Sequence, residues 1–388
     1  MIFQNFGFNQ NYPVAAGAPA GPTYPDQSLA TWTTTETAAW LAAGATQTTT
    51  NFGYASTSTR IGSSLGGGGS KYDGGALASN GKIYCPPQST TDWLVINSNT
   101  DAVATTGSSV NNGNNGARYD KITNRVYGFG NYDGTGNNGT YLDVATEAIT
   151  NLNSGIPFLT AGPVQALDGN KLYMSRLYTA TQNIYEWNIS AGTATSIGAQ
   201  GGDKYPRGTL AANGKIFWGP GGSTTFCELD PATSTITTFS QGGGGGDSYG
   251  PVVAHYDGYL YCFPRFNSLT SILKINPSTR AITTITTSLP GANYISMGTC
   301  IGLDGRIYVA RENGGIYWYD PYANSSGTIT MDSGDTSFGA IMMGANGDLY
   351  CVPWNSAYVH KIALTTGTGT SATQIVSQYN FGGRMCWA

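Results

Sequence analysis

Short runs in which apolar and polar residues alternate recur along the chain and predict β-strands. Residues 215–218 read Lys-Ile-Phe-Trp, and residues 226–229 read Phe-Cys-Glu-Leu. A period of two places successive side chains on opposite faces of a strand, so that one face of each run can be buried. Runs such as 235–238, Thr-Ile-Thr-Thr, are rich in β-branched residues, which suit a more exposed strand. The chain therefore consists of many short predicted strands joined by turns.

One motif marks these runs at a regular interval. It begins with Asn or Asp, usually followed by Gly, and ends with an aliphatic residue and then Tyr or Phe. The aromatic residues of the motif are Tyr84, Tyr127, Tyr173, Phe217, Tyr261, Tyr308 and Tyr350. Successive aromatic positions lie 42 to 47 residues apart. A period in the forties with strand-like units predicts an all-β protein, a β-propeller of seven four-stranded repeats.

Each repeat divides into four predicted strands, A to D. Strand A contains Gly, as in residues 208–211. The Asn-Gly or Asp-Gly step that follows predicts a two-residue hairpin, in which both central residues have positive φ. Strand B carries the aromatic residue of the motif. Strand C ends at an Asp-Pro or Asn-Pro turn, as at 230–231 and 276–277, and the Thr-rich strand D follows.

The repeats resemble kelch-type propeller blades over residues 70–388. The likeness rests on the Asn-Gly turn, the strand with Tyr and the strand that ends in Asp-Pro-x-Thr, as in residues 230–233. The paired Gly expected after strand B stands at 221–222 and 314–315, and Thr replaces the Trp expected near strand D. The resemblance implies a ring of blades with loops of variable sequence on one face.

The two ends of the chain bear on how the ring closes. Residues 381–387 match a strand A, and residues 40–49 resemble a strand C, a turn and a strand D. An unpaired strand needs a cover. Two interpretations follow: an eighth, composite blade built from both termini, or seven blades with a terminal strand on the rim. We assign residues 28–388 to the propeller, with 28–69 as strands that can complete the closing blade and 70–388 as the seven repeats. Residues 1–27, rich in Pro, Gly, Ala and Asn, are predicted to form an arm outside the ring.

Composition excludes several classes of protein. Charged residues make up 10% of the chain and aromatic residues 12%, which is the opposite of a disordered chain. The net charge is −4, and the few cations form no run, so no nucleic-acid partner is predicted. No apolar stretch is long enough to span a membrane. The first cation is Arg60, so the start lacks the basic region of a secretory signal.

Residue types that carry chemistry are sparse. The chain has two histidines, His255 and His360, and no Ser-His-Asp or Cys-His arrangement can be assembled from them, so no catalytic residues and no cofactor are predicted. The six cysteines lack a CxxC pair and are expected to be free, buried thiols of a protein folded in a reducing cytoplasm. Alternate oxygen-bearing residues at 131–137 suggest a calcium loop, but Asn- and Gly-rich turns recur throughout the chain, and no metal site is predicted.

The candidate binding residues lie in the B–C and D–A loops, which emerge on one face of a propeller. These loops are longer and more variable than the A–B and C–D turns of the other face. Function concentrates in variable loops on a rigid scaffold, and Arg and aromatic residues anchor interfaces. The candidates are Tyr132, Arg176, Tyr178, Tyr205, Arg207, Tyr249, Arg265, Phe266, Tyr294, Arg311, Trp354 and Asn355.

Three functions follow from these observations as hypotheses. The first is a non-enzymatic structural protein, because the low charge and the Gly, Thr, Asn, Ser and Tyr content resemble bacteriophage fibre, spike and decoration proteins. In that setting the protein folds in the host cytoplasm, the arm docks on other virion proteins, and the loop face meets a neighbouring subunit or a host surface glycan. The second is a stand-alone microbial glycan-binding adhesin. The third is a polysaccharide-degrading enzyme, which requires paired carboxylates.

Overall fold

The computed structural model describes most of the repeat region and part of the segment that precedes it. The described residues are 56–108, 113–130, 139–152, 156, 162–166, 169–175, 181–201, 207–221, 224–240, 249–255, 257–265, 270–287, 295–302 and 304–364. Within them the chain forms seven four-stranded antiparallel sheets. The predicted all-β propeller of seven blades is therefore confirmed.

Six blades take their four strands from consecutive parts of the chain, and a further strand, β1 (Thr59–Ile61), precedes them. Blade 1 comprises β2 (Ala76–Leu77), β3 (Lys82–Cys85), β4 (Asp92–Asn97) and β5 (Ala102–Ser108). Blade 2 comprises β6 (Ala117–Asp120), β7 (Arg125–Phe129), β8 (Gly139–Asp143) and β9 (Ile149–Leu152). Blade 3 comprises β10 (Val164–Gln165), β11 (Lys171–Ser175), β12 (Thr181–Asn188) and β13 (Thr193–Gly201). Blade 4 comprises β14 (Gly208–Leu210), β15 (Ile216–Trp218), β16 (Thr225–Asp230) and β17 (Thr235–Ser240). Blade 5 comprises β18 (Tyr249–Ala254), β19 (Leu260–Pro264), β20 (Ser271–Ile275) and β21 (Ile282–Thr286). Blade 6 comprises β22 (Ile295–Ile301), β23 (Ile307–Arg311), β24 (Ile316–Asp320) and β25 (Ser325–Ile329).

Blade 7 is completed by the strand that comes first in the chain. It contains β26 (Phe338–Met343), β27 (Leu349–Pro353) and β28 (Val359–Ile362), and β1 is its outer strand. β1 pairs antiparallel with β28, with Thr59 opposite Lys361 and Ile61 opposite Val359. A 3₁₀ turn at Asp332–Gly334, between blades 6 and 7, is the one helical segment of the described part. No helix there has the length and apolarity to cross a membrane.

The inner strands of neighbouring blades pack so closely that the ring has no room for an eighth blade. β26 contacts both β22 of blade 6 and β2 of blade 1. A Cβ at Gly298 would overlap the backbone of Ala340, and a Cβ at Gly339 would overlap the carbonyl oxygen of Tyr72. Because blades 7 and 1 touch directly, the composite eighth blade is wrong as a part of the ring. The segments proposed for it, 40–49 and 381–387, lie outside the described residues.

The aromatic residues of the motif occupy equivalent places in the second strand of every blade. All seven are buried, and each lies against the next sheet of the ring, Tyr261 through the ring of Tyr319. The predicted two-residue hairpin before this strand is wrong. The turn is a three-residue loop, because only Gly has positive φ, as at Gly81 (+78°) and Gly214 (+79°), while the preceding Asn does not. The N–H of Gly81 donates to the carbonyl of Ala78, which closes a turn followed by one left-handed residue.

The side chain of the Asn or Asp explains the rest of the motif. Oδ1 of Asn80 accepts the N–H of Lys82 at 3.0 Å, and Nδ2 of Asn80 donates to the hydroxyl of Tyr84 at 2.9 Å. In blade 6 the hydroxyl of Tyr308 donates to Oδ2 of Asp304 at 2.6 Å. One polar side chain thus closes the turn and holds the aromatic residue of strand B, which accounts for the fixed spacing between them.

The two faces of the ring differ in construction. We call the face with the A–B and C–D turns the bottom face and the face with the B–C and D–A connections the top face. At the bottom face ion pairs join neighbouring blades, such as Lys361 to Asp101 at 2.8 Å and Arg280 to Glu228 at 2.8 Å. Short, paired turns leave this face little freedom, so the longer loops of the top face are the better place for a functional site.

Candidate functional site at the top face

Half of the predicted binding residues fall within the described part of the chain. Those that lie outside the described residues are Tyr132, Arg176, Tyr178, Tyr205, Phe266 and Tyr294. Arg207, Tyr249, Arg265 and Arg311 are buried, at 3 to 7% exposure. Trp354 is half-buried and Asn355 is exposed. The described arginines are therefore parts of the packed top face rather than free anchors on it.

A buried ion pair crosses the ring at its top. Arg207 Nη2 lies 2.9 Å from Asp73 Oδ2 and also donates to the main-chain oxygen of Asp73. Asp73 lies in the connection that leads into blade 1, whereas Arg207 directly precedes β14 of blade 4. Blades 1 and 4 stand on opposite sides of a seven-membered ring, so side chains from both can meet only near its axis. The ion pair therefore lies at the top face, close to the axis of the ring.

Two more charged residues lie around Asp73. Arg265, which follows β19 of blade 5, and Glu312, which follows β23 of blade 6, both interact electrostatically with the Asp73 carboxylate. Burial raises the pKa of Asp73 to about 6, against the opposite effect of Arg207 and Arg265, and Glu312 raises it further. Burial likewise lowers the pKa of Arg207, although Asp73 raises it. Both shifts have the same origin, because removing a charge from water is costly even beside its partner. We call Asp73, Arg207, Arg265 and Glu312 the axial cluster.

The connection that carries Asp73 is fastened to blade 7. We call residues 62–75 the closing strap, since they run from the outer strand β1 to the axis. The Lys71 ammonium donates to the carbonyls of Gly68 at 2.9 Å, Ser356 at 3.0 Å and Asn355 at 3.4 Å. Oδ1 of Asn355 accepts the N–H of Ser70 at 2.9 Å. Asn355 therefore holds the strap, and burial lowers the pKa of Lys71.

Two other candidates stabilise their own blades. Arg311 Nη1 donates to the Tyr317 hydroxyl at 2.7 Å, with its guanidinium 4.4 Å from the centre of that ring. Burial lowers the pKa of Arg311, although Tyr317 raises it. The hydroxyl of Tyr249 lies 2.7 Å from Oγ of Ser271. These contacts join strands B and C of blade 6 and strands A and C of blade 5.

The structure also assembles a Ser-His-Asp arrangement that the sequence did not reveal. Ser58 Oγ lies 3.0 Å from His360 Nδ1, and His360 Nε2 lies 3.0 Å from Asp335 Oδ2. Ser58 is 7% exposed, and its Oγ already accepts the N–H of Asp332 at 3.2 Å. A nucleophile needs an accessible oxygen beside oxyanion donors. The arrangement instead joins the residue before β1 to β28, and we call it the closing clasp.

Within the described residues neither the cysteines nor the acidic side chains form a further candidate site. Cys85, Cys227, Cys262 and Cys351 are free and buried, as predicted, and burial raises the pKa of the thiols of Cys85, Cys262 and Cys351. Cys300 is disulfide-bonded, so the prediction of free thiols is wrong for this residue. No group of three His, Cys, Asp or Glu side chains suited to a metal ion occurs among the described residues. The calcium loop considered at 131–137 lies outside them.

One family model matches the chain. It is a repeat of unknown function (DUF6923), and it matches residues 252–382, about a third of the chain that includes blades 6 and 7. No curated protein matches the sequence. The matched family thus supports the repeat architecture and gives no activity.

Solved structures of similar fold are numerous and distant in sequence. A streptogramin B lyase matches with a TM-score of 0.63 and 12% identity over 78% of this chain and 96% of that chain. An inactive histidine-to-alanine variant of virginiamycin B lyase from Staphylococcus aureus, with quinupristin, matches with a TM-score of 0.59 and 12% identity over 79% of this chain and 97% of that chain. The extracellular domain of a hybrid two-component system from B. thetaiotaomicron matches with a TM-score of 0.59 and 14% identity over 81% of this chain and 42% of that chain. At these identities the matches show the fold alone.

Proposed function

We propose that this chain is a non-enzymatic binding protein whose top face recognises a surface glycan. The observation that carries the proposal is the axial cluster, in which the Arg207–Asp73 ion pair joins blades 4 and 1 at the top face and charges from blades 5 and 6 act on the same carboxylate. Half-buried Trp354 and exposed Asn355 lie on the same face and offer an apolar ring beside polar atoms. Rigid sites with an apolar surface and a few fixed polar groups are typical of ligand binding.

A lyase-like activity receives less support from the placement of the histidines. Virginiamycin B lyase becomes inactive when one histidine is replaced by alanine. In this chain His255 lies at the bottom face, where its Nε2 is 2.9 Å from the carbonyl oxygen of Gly305. His360 is fully buried in the closing clasp. His255 is 1% exposed and His360 0% exposed, so neither ring is open to a ligand at the top face as a general base must be.

A glycan array tests the proposal directly. The full chain, a Glu312→Ala/Trp354→Ala variant and an Ile122→Ser control are compared on the same oligosaccharides. Ile122 is an exposed residue of the bottom face, at 67% exposure. We expect the wild type and the control to bind the same glycans and the top-face variant to lose them. Absence of glycan binding by the wild type, or a loss in the control alone, would overturn the proposal.

The setting that composition suggests is a virion. In that setting residues 1–27 attach the protein to other virion proteins, and the top face meets the host. Mass spectrometry of purified particles tests this setting, because an assembly component is present in stoichiometric amounts. A chain absent from the particles would act alone, as an adhesin.

A further inference from the structure

The segment that completes blade 7 is held by parts of the ring that come much later in the chain. We call residues 56–65 the closing segment. Its strand β1 pairs with β28. The N–H of Ser58 donates to the carbonyl of Thr330 at 3.0 Å, and the N–H of Leu65 donates to the carbonyl of Ala357 at 2.8 Å. The segment therefore binds a surface made by the end of blade 6 and by blade 7.

A glycine-rich hinge joins the closing segment to the rest of the ring. Residues 66–70 read Gly-Gly-Gly-Gly-Ser, a composition typical of flexible linkers. The four glycines are exposed, and a Cβ at Gly66, Gly67 or Gly68 would meet nothing within 4 Å. Residues 71–76 are buried, so the chain is fixed again directly after the hinge. The closing segment can thus leave its blade while the ring that follows the hinge stays in place.

We propose that the closing segment of one copy completes blade 7 of a second copy, so that two chains exchange these segments reciprocally. The β1–β28 pairing, the closing clasp and the ion pair of Arg60 with Asp335 form equally well on an identical ring. Exchange of an identical element changes only the path of the hinge and is a low-cost route to a dimer. The partner of this surface is a second copy of the chain, which goes beyond the proposed function and does not depend on it.

The length of the hinge sets the concentration at which exchange occurs. From Leu65 to Lys71 the extended chain spans at most about 20 Å, so the seventh blades of the two copies must lie side by side. A short flexible linker holds its segment at an effective concentration of about 1 mM beside its own blade. A second copy competes only at a comparable concentration. We therefore expect monomers in dilute solution and exchanged dimers at about 1 mM.

Two hinge glycines favour closure within one chain. Gly66 has φ +80° and Gly68 has φ +149°, which proline, fixed at φ of about −65°, cannot adopt. Gly66→Pro/Gly68→Pro therefore strains the closed hinge and leaves an extended, exchanged hinge allowed. We expect this variant to dimerise at a concentration about tenfold lower than the wild type, by analytical ultracentrifugation. Gly67→Ala is the control, because its Cβ meets open space, and it should behave as the wild type.

A disulfide between copies detects the exchange directly. Thr59 stands opposite Lys361 in the antiparallel pairing of β1 with β28, at a Cα separation of about 5 Å that a disulfide accepts. Thr59→Cys and Lys361→Cys proteins are mixed at about 1 mM, warmed below the melting temperature and oxidised with oxidised glutathione. We expect a covalent dimer of the two variants under denaturing, non-reducing conditions, and none when either variant is treated alone.

The double variant Thr59→Cys/Lys361→Cys, kept dilute, is the positive control and should form the same disulfide within one chain. If it does so while the mixture gives no covalent dimer, the inference is overturned. Equal dimer yields from the mixture and from either variant alone would also overturn it, because the native cysteines would then be the cause. If the double variant forms no internal disulfide, ultracentrifugation decides. A wild type that stays monomeric at about 1 mM, or Gly66→Pro/Gly68→Pro and Gly67→Ala proteins with equal tendencies to dimerise, would then reject the exchange.

Discussion

At the residue scale the repeat depends on one polar side chain and one hydroxyl. Asp304 closes its turn and accepts the hydroxyl of Tyr308, and Asn346 does the equivalent in blade 7, where Nδ2 donates to the Tyr350 hydroxyl at 2.9 Å. Blade 4 shows what happens without the hydroxyl. Phe217 replaces Tyr there, and the amide of Asn213 turns to the next blade. The pairing is thus a local contact of blades 1, 5, 6 and 7, and blade 4 replaces it with a contact to its neighbour.

Removal of one tyrosine hydroxyl should show how much this hydrogen bond contributes to the free energy of unfolding. In Tyr308→Phe, the Asp304 carboxylate loses its donor at 2.6 Å. An acceptor left without its partner costs about 1–3 kcal/mol, so we expect a loss of that size in the free energy of unfolding, measured in urea. Tyr358→Phe is the control, because Tyr358 is half-buried and its ring contact with Arg60 survives. Equal losses in both variants would contradict the argument.

The charge of Asp304 should make stability depend on pH. Burial raises its pKa from 3.8 to about 6, with Asp320 adding to the rise, so the folded state binds the proton more tightly than the unfolded chain. The contribution of Asp304 to stability therefore falls as pH rises from about 4 to 6. Asp304→Asn, which reproduces the chemistry of Asn346, should gain about 1 kcal/mol over the wild type above pH 6 and nothing at pH 4. A gain that does not vary with pH would show that the carboxylate is not the cause.

The sequence predicted the equivalent aromatic positions but not every detail of the turns. The motif that ends at Tyr127 lacks Gly, because Asn124 itself takes the left-handed position of the usual Gly, at φ +53°, and Thr123 stands where Asn or Asp is expected. The axial cluster was predicted only in part. Arg207 was a candidate, but its partner Asp73 lies 134 residues away, and no local pattern reveals such a contact. Burial of the arginines is likewise a property of the whole ring.

At the element scale the closing strand is the least self-sufficient piece of the fold. β1 has three residues and pairs with β28 alone. The closing clasp adds side-chain contacts, and the Arg60 guanidinium pairs with Asp335 at 2.9 Å and stacks 4.6 Å from the ring of Tyr358. Burial lowers the pKa of His360 although Asp335 raises it, and its ring bridges Ser58 and Asp335 by hydrogen bonds.

Loss of the clasp should loosen this strand first. His360→Phe keeps an aromatic ring at a fully buried position and removes both hydrogen bonds. We expect a loss of about 2–4 kcal/mol and faster proteolysis near residues 56–61, because the Asp335 carboxylate and the Ser58 hydroxyl lose their buried partner. The readouts are urea unfolding and mass spectrometry of the first cleavage products. Cleavage that begins instead in blades 2 to 4 would contradict a local role for the clasp.

At the scale of the whole molecule the ring is closed by pairing its first described strand with its last. The inner strands of blades 7 and 1 already touch, and β1 then covers the outer edge of β28. The sequence predicted that terminal strands close the ring, and it left open whether seven or eight blades result. The choice depends on how closely Gly298 and Gly339 let the inner strands approach, which is set by packing around the ring.

Two truncations should separate the contribution of β1 to closure of the ring from that of the residues before it. Removal of residues 1–55 keeps Ser56 and the described closing contacts, such as the N–H of Thr330 to Ser56 O at 2.7 Å. Removal of residues 1–61 deletes β1 and exposes the edge of β28, a template for pairing with other chains. We expect the shorter truncation to melt near the full chain and the longer one to melt several degrees lower and to aggregate, by calorimetry and light scattering. Identical melting temperatures for the two truncated proteins would show that β1 does not contribute to closure of the ring.

The pairing of Thr59 with Lys361 also sets the order of events during synthesis. A nascent chain can build blades 1 to 6 as they leave the ribosome, but the seventh stays incomplete until β28 (Val359–Ile362) has been translated. Until then the strand around Thr59 lacks its partner β28, and it closes its own ring only if it does not pair with a strand of another chain. Slower translation or a crowded polysome should therefore favour exchange of this strand between chains rather than failure of the individual blades.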